Sequence, residues 1–119
     1  MARRRSHRPE RVAELIRETV AQFLTGNVRD PRIGFVTVTG VEVSGDLAHA
    51  TVRVSVLGSE EEKARTLEGL ASAARFLRAR LSGELPLRTS PELRFELDRG
   101  LEHALRIERL LREIKESAG

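Results

Sequence analysis

Apolar residues recur at helical spacing early in the chain. Val12, Leu15, Ile16, Thr19, Val20, Phe23 and Leu24 fall three or four apart and make one broad face. The pattern predicts a helix from Pro9, a residue suited to a first turn, to about Leu24, with Gly26 and Asn27 ending it. "RDPRIG" (29–34) then supplies turn chemistry through Asp30, Pro31 and Gly34. "IGFVTVTGVEV" (33–43) is β-branched and almost continuously apolar, which suits a strand covered on much of both faces. Gly40 within it marks a bulge or a close backbone approach. After a tight connection at Ser44–Asp46, "LAHATVRVSVL" (47–57) alternates. Ala48, Ala50, Val52, Val54 and Val56 take one face, and His49, Thr51, Arg53 and Ser55 the other. The two runs predict a hairpin.

"SEEE" (59–62) is a capping box, with Ser59 as cap and Glu62 three residues on, and opens a helix lasting to Gly83. "ELRFELD" (92–98) alternates as a third strand. A last amphipathic helix carries Leu101, Ala104, Leu105, Leu111 and Ile114 on the side expected to be buried. The order is α-β-β-α-β-α, a single α+β domain with a three-stranded sheet and helices packed on one face.

The helix over 60–82 has a phase conflict. At about 100° per residue, Leu67, Leu70, Ala74, Leu77 and Leu81 cluster in one direction, whereas Phe76 falls nearly opposite, beside Arg65, Ser72 and Arg80. With only four Phe and no other aromatic residue in the chain, an exposed ring is a poor use of one. A kink at 72–75 would turn Phe76 inward. It would also free backbone N–H groups at the start of a second helical half, a natural seat for phosphate oxygens, with Arg75, Arg78 and Arg80 just beyond.

Charge reinforces that reading. Of 119 residues, 21 are Lys or Arg and 18 Asp or Glu, and the cations are concentrated in two islands. Residues 1–11 set Arg3, Arg4, Arg5, Arg8 and Arg11 against Glu10 alone. Residues 75–94 set Arg75, Arg78, Arg80, Arg88 and Arg94 against Glu84 and Glu92. Two compact basic islands on a balanced chain point to a polyanion partner. An anionic membrane is the poorer match, because the first helix lacks Trp and has Glu14 and Glu18 on its polar side. There is no Cys, no apolar run of membrane-spanning length and no secretory signal, which implies a cytoplasmic protein. His7, His49 and His103 lie on separate elements with no ligand spacing, so no metal is expected. No cofactor is expected either: neither a Gly-rich nucleotide loop nor a nucleophile elbow occurs. A small nuclease using His49 or Asp46 is the weakest functional reading. Base stacking is not expected, since Phe23, Phe35, Phe76 and Phe95 all have core roles available.

The run "DPRIGFVTVTGVEVSGDLAHATVRVSVLG" (30–58), with "PELRFELD" (91–98) and the Arg11-Val12 start of the first helix, resembles the bacterial ribosome-binding factor A family. The resemblance implies a type II KH-like fold, ordered α-β-β-α(kink)α-β-α. Its parts are then a basic flexible tail (1–8), a KH-like RNA-binding domain (9–116) and a short C-terminal tail (117–119). It further implies a monomeric, non-enzymatic assembly factor that binds free small (30S) ribosomal subunits and their 16S rRNA. Late maturation, processing of the rRNA 5′ region and a link to growth in the cold come with it. Ribosomal proteins and an assembly GTPase are further partners. The family carries Ala-x-Gly at its kink, and here the matching residues are Ala73-Ala74-Arg75. Arg in place of Gly implies a shallower kink and adds a cation there. The expected RNA contacts are Arg3, Arg4, Arg5 and Arg8 in the tail, Ser72, Ala73, Ala74, Arg75, Arg78 and Arg80 around the kink, and Arg88 beyond it. The alternative is a protein–protein adaptor acting on a ribosomal protein or GTPase without touching RNA.

Overall fold

The computed structural model describes residues 2–26, 28–84 and 90–118, with side chains from residue 8 onward except those of 101 and 118. The elements follow as α1 (Ala2–Thr25), β1 (Val36–Val43), β2 (His49–Val56), α2 (Glu60–Glu84), β3 (Glu92–Leu97) and α3 (Gly100–Ala118). β2 is the central strand. It pairs antiparallel with β1, from Val36 opposite Val56 to Val43 opposite Ala50, and parallel with β3, from His49 opposite Glu92 to Val54 opposite Leu97. The parallel pair is possible because α2 carries the chain back along the sheet between β2 and β3. Gly40 does sit at a bulge: the β1–β2 register slips between Val38 and Gly40.

The core lies between one sheet face and α1 with α2. Val12, Ile16 and Val20 of α1 and Leu70, Leu77 and Leu81 of α2 close over Val38, Ala50, Val52, Val54, Val56 and Leu93. Strand alternation sends the polar set of β2 to the open face, as its sequence predicts. The hairpin turns on Ser44, whose N–H donates to the His49 carbonyl (2.9 Å), and Asp46, which accepts from the Ser44 hydroxyl (2.6 Å) and the Ala48 N–H (3.0 Å). The capping box forms in both directions, Glu62 N–H to Ser59 Oγ (3.2 Å) and Ser59 N–H to Glu62 Oε1 (3.3 Å).

Three expectations are corrected. First, α1 begins at Ala2, so residues 2–8 are helical instead of a tail ahead of a helix starting at Pro9, and Pro9 lies inside the helix. Ala and Arg, both strong helix formers, dominate that first stretch. Second, α2 runs unbroken from Glu60 to Glu84, with no second helix start at 72–75. Ala, Leu and Arg hold a continuous helix, and nothing in 70–82 breaks it. Third, α3 does not pack by its apolar side. Leu105, Ile107, Leu110, Leu111 and Ile114 are all exposed, and α3 is tied to the body at its start, by Lys63 bonding Glu102 and by Arg99 bridging Glu60 (2.8 Å). The radius of gyration, 17.7 Å, exceeds the roughly 13–14 Å of a compact chain this long, in keeping with a projecting helix.

Candidate nucleic-acid interface

The 28–34 segment is clamped onto α2 by satisfied polar groups. The backbone N–H of Arg32 donates to Asp30 Oδ1 (2.9 Å), while its guanidinium forks onto the same carboxylate, Nε to Oδ1 (3.0 Å) and Nη2 to Oδ2 (2.6 Å). Those bonds, the side-chain ones foremost, hold the Asp30 carboxyl down at about 2. From this braced position Arg32 Nη2 also donates to Ser72 Oγ (3.1 Å). The buried Thr66 hydroxyl donates to the Arg32 carbonyl (3.2 Å) and accepts from the Gly34 N–H (3.4 Å). Gly69 lets the segment close in, because a Cβ there would lie 2.6 Å from Ile33 Cγ1.

This packing also resolves the phase of Phe76. The helix does not kink to bury it. Its ring meets that of Phe23 on α1, centroids 6.0 Å apart and tilted 46°, and stays 57% exposed. Phe35 is more exposed still, at 82%, beside Leu57 at 77%. The expectation that every Phe serves the core therefore fails for two of the four. Phe35 sits one step past the paired residues Val36 and Val56 and accepts the Leu57 N–H at its carbonyl (3.2 Å); since Val56 is buried, alternation puts Leu57, and Phe35 beside it, toward the open face of the sheet.

The residues expected to contact RNA divide into groups. Arg75 and Arg80 are exposed on α2, and neither takes part in an ion pair among the described residues. From Gly69 to Gly83 the sequence contains no acid, so this half of the helix is purely cationic. Arg78 differs: its Nε donates to the Pro91 carbonyl (3.1 Å) and its Nη2 to the Ser90 carbonyl (3.3 Å). It ties α2 to the segment leading into β3 from a half-buried position on the helix. Ser72 is engaged by Arg32, and Ala73 and Ala74 pack against the core, so the three do not form an exposed backbone seat. Arg8 is exposed on α1. Arg3, Arg4 and Arg5 lie in the first helical turns without described side chains, and Arg88 lies outside the described residues. Arg65 and Arg29, exposed on either side of the clamp, were missed because each is isolated in sequence.

The open face of the sheet is different in kind. Arg53 binds Glu42 (2.7 Å), His49 approaches Glu92 (3.7 Å) and Arg94 approaches Glu96 (3.7 Å). Glu42 is lowered by its bond from Arg53, and Asp98 by the Gly100 N–H and then by Thr39. Its cations are matched by carboxylates, so a polyanion would meet the helical layer instead. Among the described residues no group of acidic or histidine side chains could hold a metal, and no helix is long and apolar enough to cross a membrane.

Comparison with known proteins identifies the family. The family model described as ribosome-binding factor A matches residues 8–111. The ribosome-binding factor A of Desulforamulus reducens is 48% identical over 109 residues, 92% of this chain and 91% of that protein. The crystal structure of ribosome-binding factor A from Thermus thermophilus superposes with a TM-score of 0.62 at 27% identity, over 75% of this chain and 94% of that one. A model of the Thermus thermophilus factor fitted into a cryo-electron microscopy map of its 30S complex gives a TM-score of 0.57 at 29% identity, over 72% and 90%. With a match that reaches all six elements, the chain belongs to the ribosome-binding factor A family.

Proposed function

We propose that this chain binds the free small ribosomal subunit through phosphates of its 16S rRNA, as a cytoplasmic, monomeric, non-enzymatic assembly factor. Late maturation of the subunit, processing of the rRNA 5′ region and growth in the cold are the roles that reading carries. Residues 9–116 then act as a KH-like RNA-binding domain with a continuous helix where the family has a kink. The observation that carries the reading is the acid-free half of α2, with Arg75 and Arg80 exposed and outside the ion pairs, on the layer opposite the charge-matched sheet face. Guanidinium groups so placed suit bidentate phosphate contact. The relative seen in a 30S complex supports the choice of partner.

Replacing Arg75 and Arg80 by Glu is expected to lower co-sedimentation with free small subunits while the folded circular dichroism signal persists. Wild-type binding should fall steeply with salt, as phosphate contacts require. A flat salt profile, or unchanged binding by the double variant, would refute phosphate recognition by α2. The adaptor reading is favoured by one observation, the uncovered apolar side of α3. It requires that association with subunit proteins survive ribonuclease treatment.

A further inference from the structure

Among the described residues, Phe76 is the only large apolar side chain of α2 that is exposed, at 57%. On a helix, the side chains that stand beside a residue are those three and four positions away. For Phe76 they are Ser72, Ala73, Ala79 and Arg80. Three of these are small, so α2 does not cover the ring with its own side chains. The ring meets Phe23 of α1, itself half-buried, with centroids 6.0 Å apart and a tilt of 46°. Two rings from two helices thus make one partly open aromatic surface.

The stretches that bring these rings together carry no acid on either helix. The sequence has none from Thr19 to Arg29 and none from Gly69 to Gly83. Ser72, Phe76 and Arg80 lie four residues apart and form one ridge of α2, in steps of about 6 Å. The Ser72 end of that ridge is closed by Arg32, which donates to Ser72 Oγ (3.1 Å) while its charge is matched by Asp30. The other end carries Arg80, and Arg75 directly precedes the ring. Both are exposed and outside the ion pairs of the described residues. Phe35 is more exposed, but it lies toward the sheet face whose cations are matched by carboxylates.

An exposed aromatic ring beside free guanidinium groups, with no carboxylate between them, offers what single-stranded RNA requires: a surface for a base and cations for its phosphate. An apolar peptide side chain would use the ring and leave the cations idle. A duplex would use the cations and leave the ring idle, because its bases are already stacked. We infer that Phe76, backed by Phe23, is a stacking platform for one unpaired base of an RNA strand whose phosphate lies toward Arg75 and Arg80. The inference rests on the RNA-binding reading above and deepens it. Phosphate contacts position a strand, whereas a base stacked on a side chain requires the strand to be unpaired there. Every base has a π-face, so the platform accepts any of them. At this one ring, the expectation from the sequence that no base stacks is reversed.

The test is fluorescence anisotropy with two labelled RNA hexamers of equal charge at fixed ionic strength, one all-uridine and one its abasic counterpart. The wild type is expected to bind the uridine oligomer about fivefold tighter or more, the low end for one stacked base. Phe76→Leu keeps an apolar contact with Phe23 and should bind both oligomers alike, at the abasic affinity of the wild type. Its salt dependence should be unchanged, because the phosphate contacts persist. Phe76→Tyr keeps an aromatic face and should retain the preference. Equal affinities in the wild type, a preference that survives Phe76→Leu or disappears in Phe76→Tyr, or no binding of either oligomer would overturn the inference. If Phe76→Leu instead weakens association with subunit proteins after ribonuclease treatment, the ring is a protein contact and the inference also falls. Small-subunit binding of the wild type and of the Arg75/Arg80 double variant is measured in parallel. If it behaves as expected while the oligomers bind alike, only the stacking inference falls; if the wild type binds no subunit, the functional reading fails on its own account.

Discussion

Gly69→Ala offers a sharp test of how the 28–34 segment is seated. In an exposed helix interior the change gains about 1 kcal/mol, because Ala is the better helix former. Here the new methyl would meet Ile33 Cγ1 at 2.6 Å, Ile33 Cδ1 at 3.3 Å and Arg32 Cβ at 3.4 Å, against an optimum of roughly 3.5–4.0 Å between carbons. Ile33 Cγ1 belongs to a β-branched side chain that is stiff at χ1. The clash is therefore relieved by moving the segment's backbone, at an overpacking cost of about 1–3 kcal/mol. The movement also strains the Thr66 and Ser72 bonds described above. The net expectation is a loss of about 1 kcal/mol.

Gly83 is the internal control. It lies in the same helix, and a Cβ there meets nothing within 4 Å, so Gly83→Ala should leave stability level or raise it by up to about 1 kcal/mol. Urea unfolding monitored by circular dichroism separates the two by the direction of the midpoint shift. Ile33→Ala in the Gly69→Ala background should recover part of the loss, appearing as a favourable coupling in the double-mutant cycle. If Gly69→Ala instead stabilises as Gly83→Ala does, the close approach of Ile33 to α2 is refuted.

Two more predictions use other parts of the fold. Leu70→Ala empties a fully buried site and should cost about 2–5 kcal/mol. Leu111→Ser, on the uncovered side of α3 with 62% of its surface exposed, should move the same urea midpoint by less than about 0.5 kcal/mol; a loss near that of Leu70→Ala would mean that α3 packs. The Asp30 carboxyl, held at about 2 by Arg32, should titrate there by carbon-detected NMR. Because its folded value is depressed, its contribution to stability is present above the ordinary Asp range and disappears as pH falls toward 2. Asp30→Asn should flatten acid unfolding in that window, and an ordinary Asp midpoint in the wild type would refute the fork.

Much of the fold was legible because its signals are local. Alternation over 47–57, the capping box at Ser59–Glu62 and the apolar period of α1 each depend on neighbours within a turn or two. The structure bears all three out. The Gly40 bulge was legible for the same reason: a glycine inside a β-branched run has few other uses. The cationic half of α2 was likewise visible, since an acid-free run needs no partner to be recognised.

What misled was the step from periodicity to burial. Phe76 was assigned a kink because its direction along α2 opposed the core, yet that direction faces Phe23 of another helix. The apolar side of α3 has a clear period, but period states which residues share a face and not whether anything covers it. Arg78 reads like its neighbours Arg75 and Arg80, and only the return of the chain at Ser90–Pro91 turns it into a tie. The sequence by itself determined the elements, their caps and the sign of the surface charge. The tertiary structure decided which cations remain free, which aromatic rings are exposed and where a ligand could sit, because those properties belong to contacts between segments far apart along the chain.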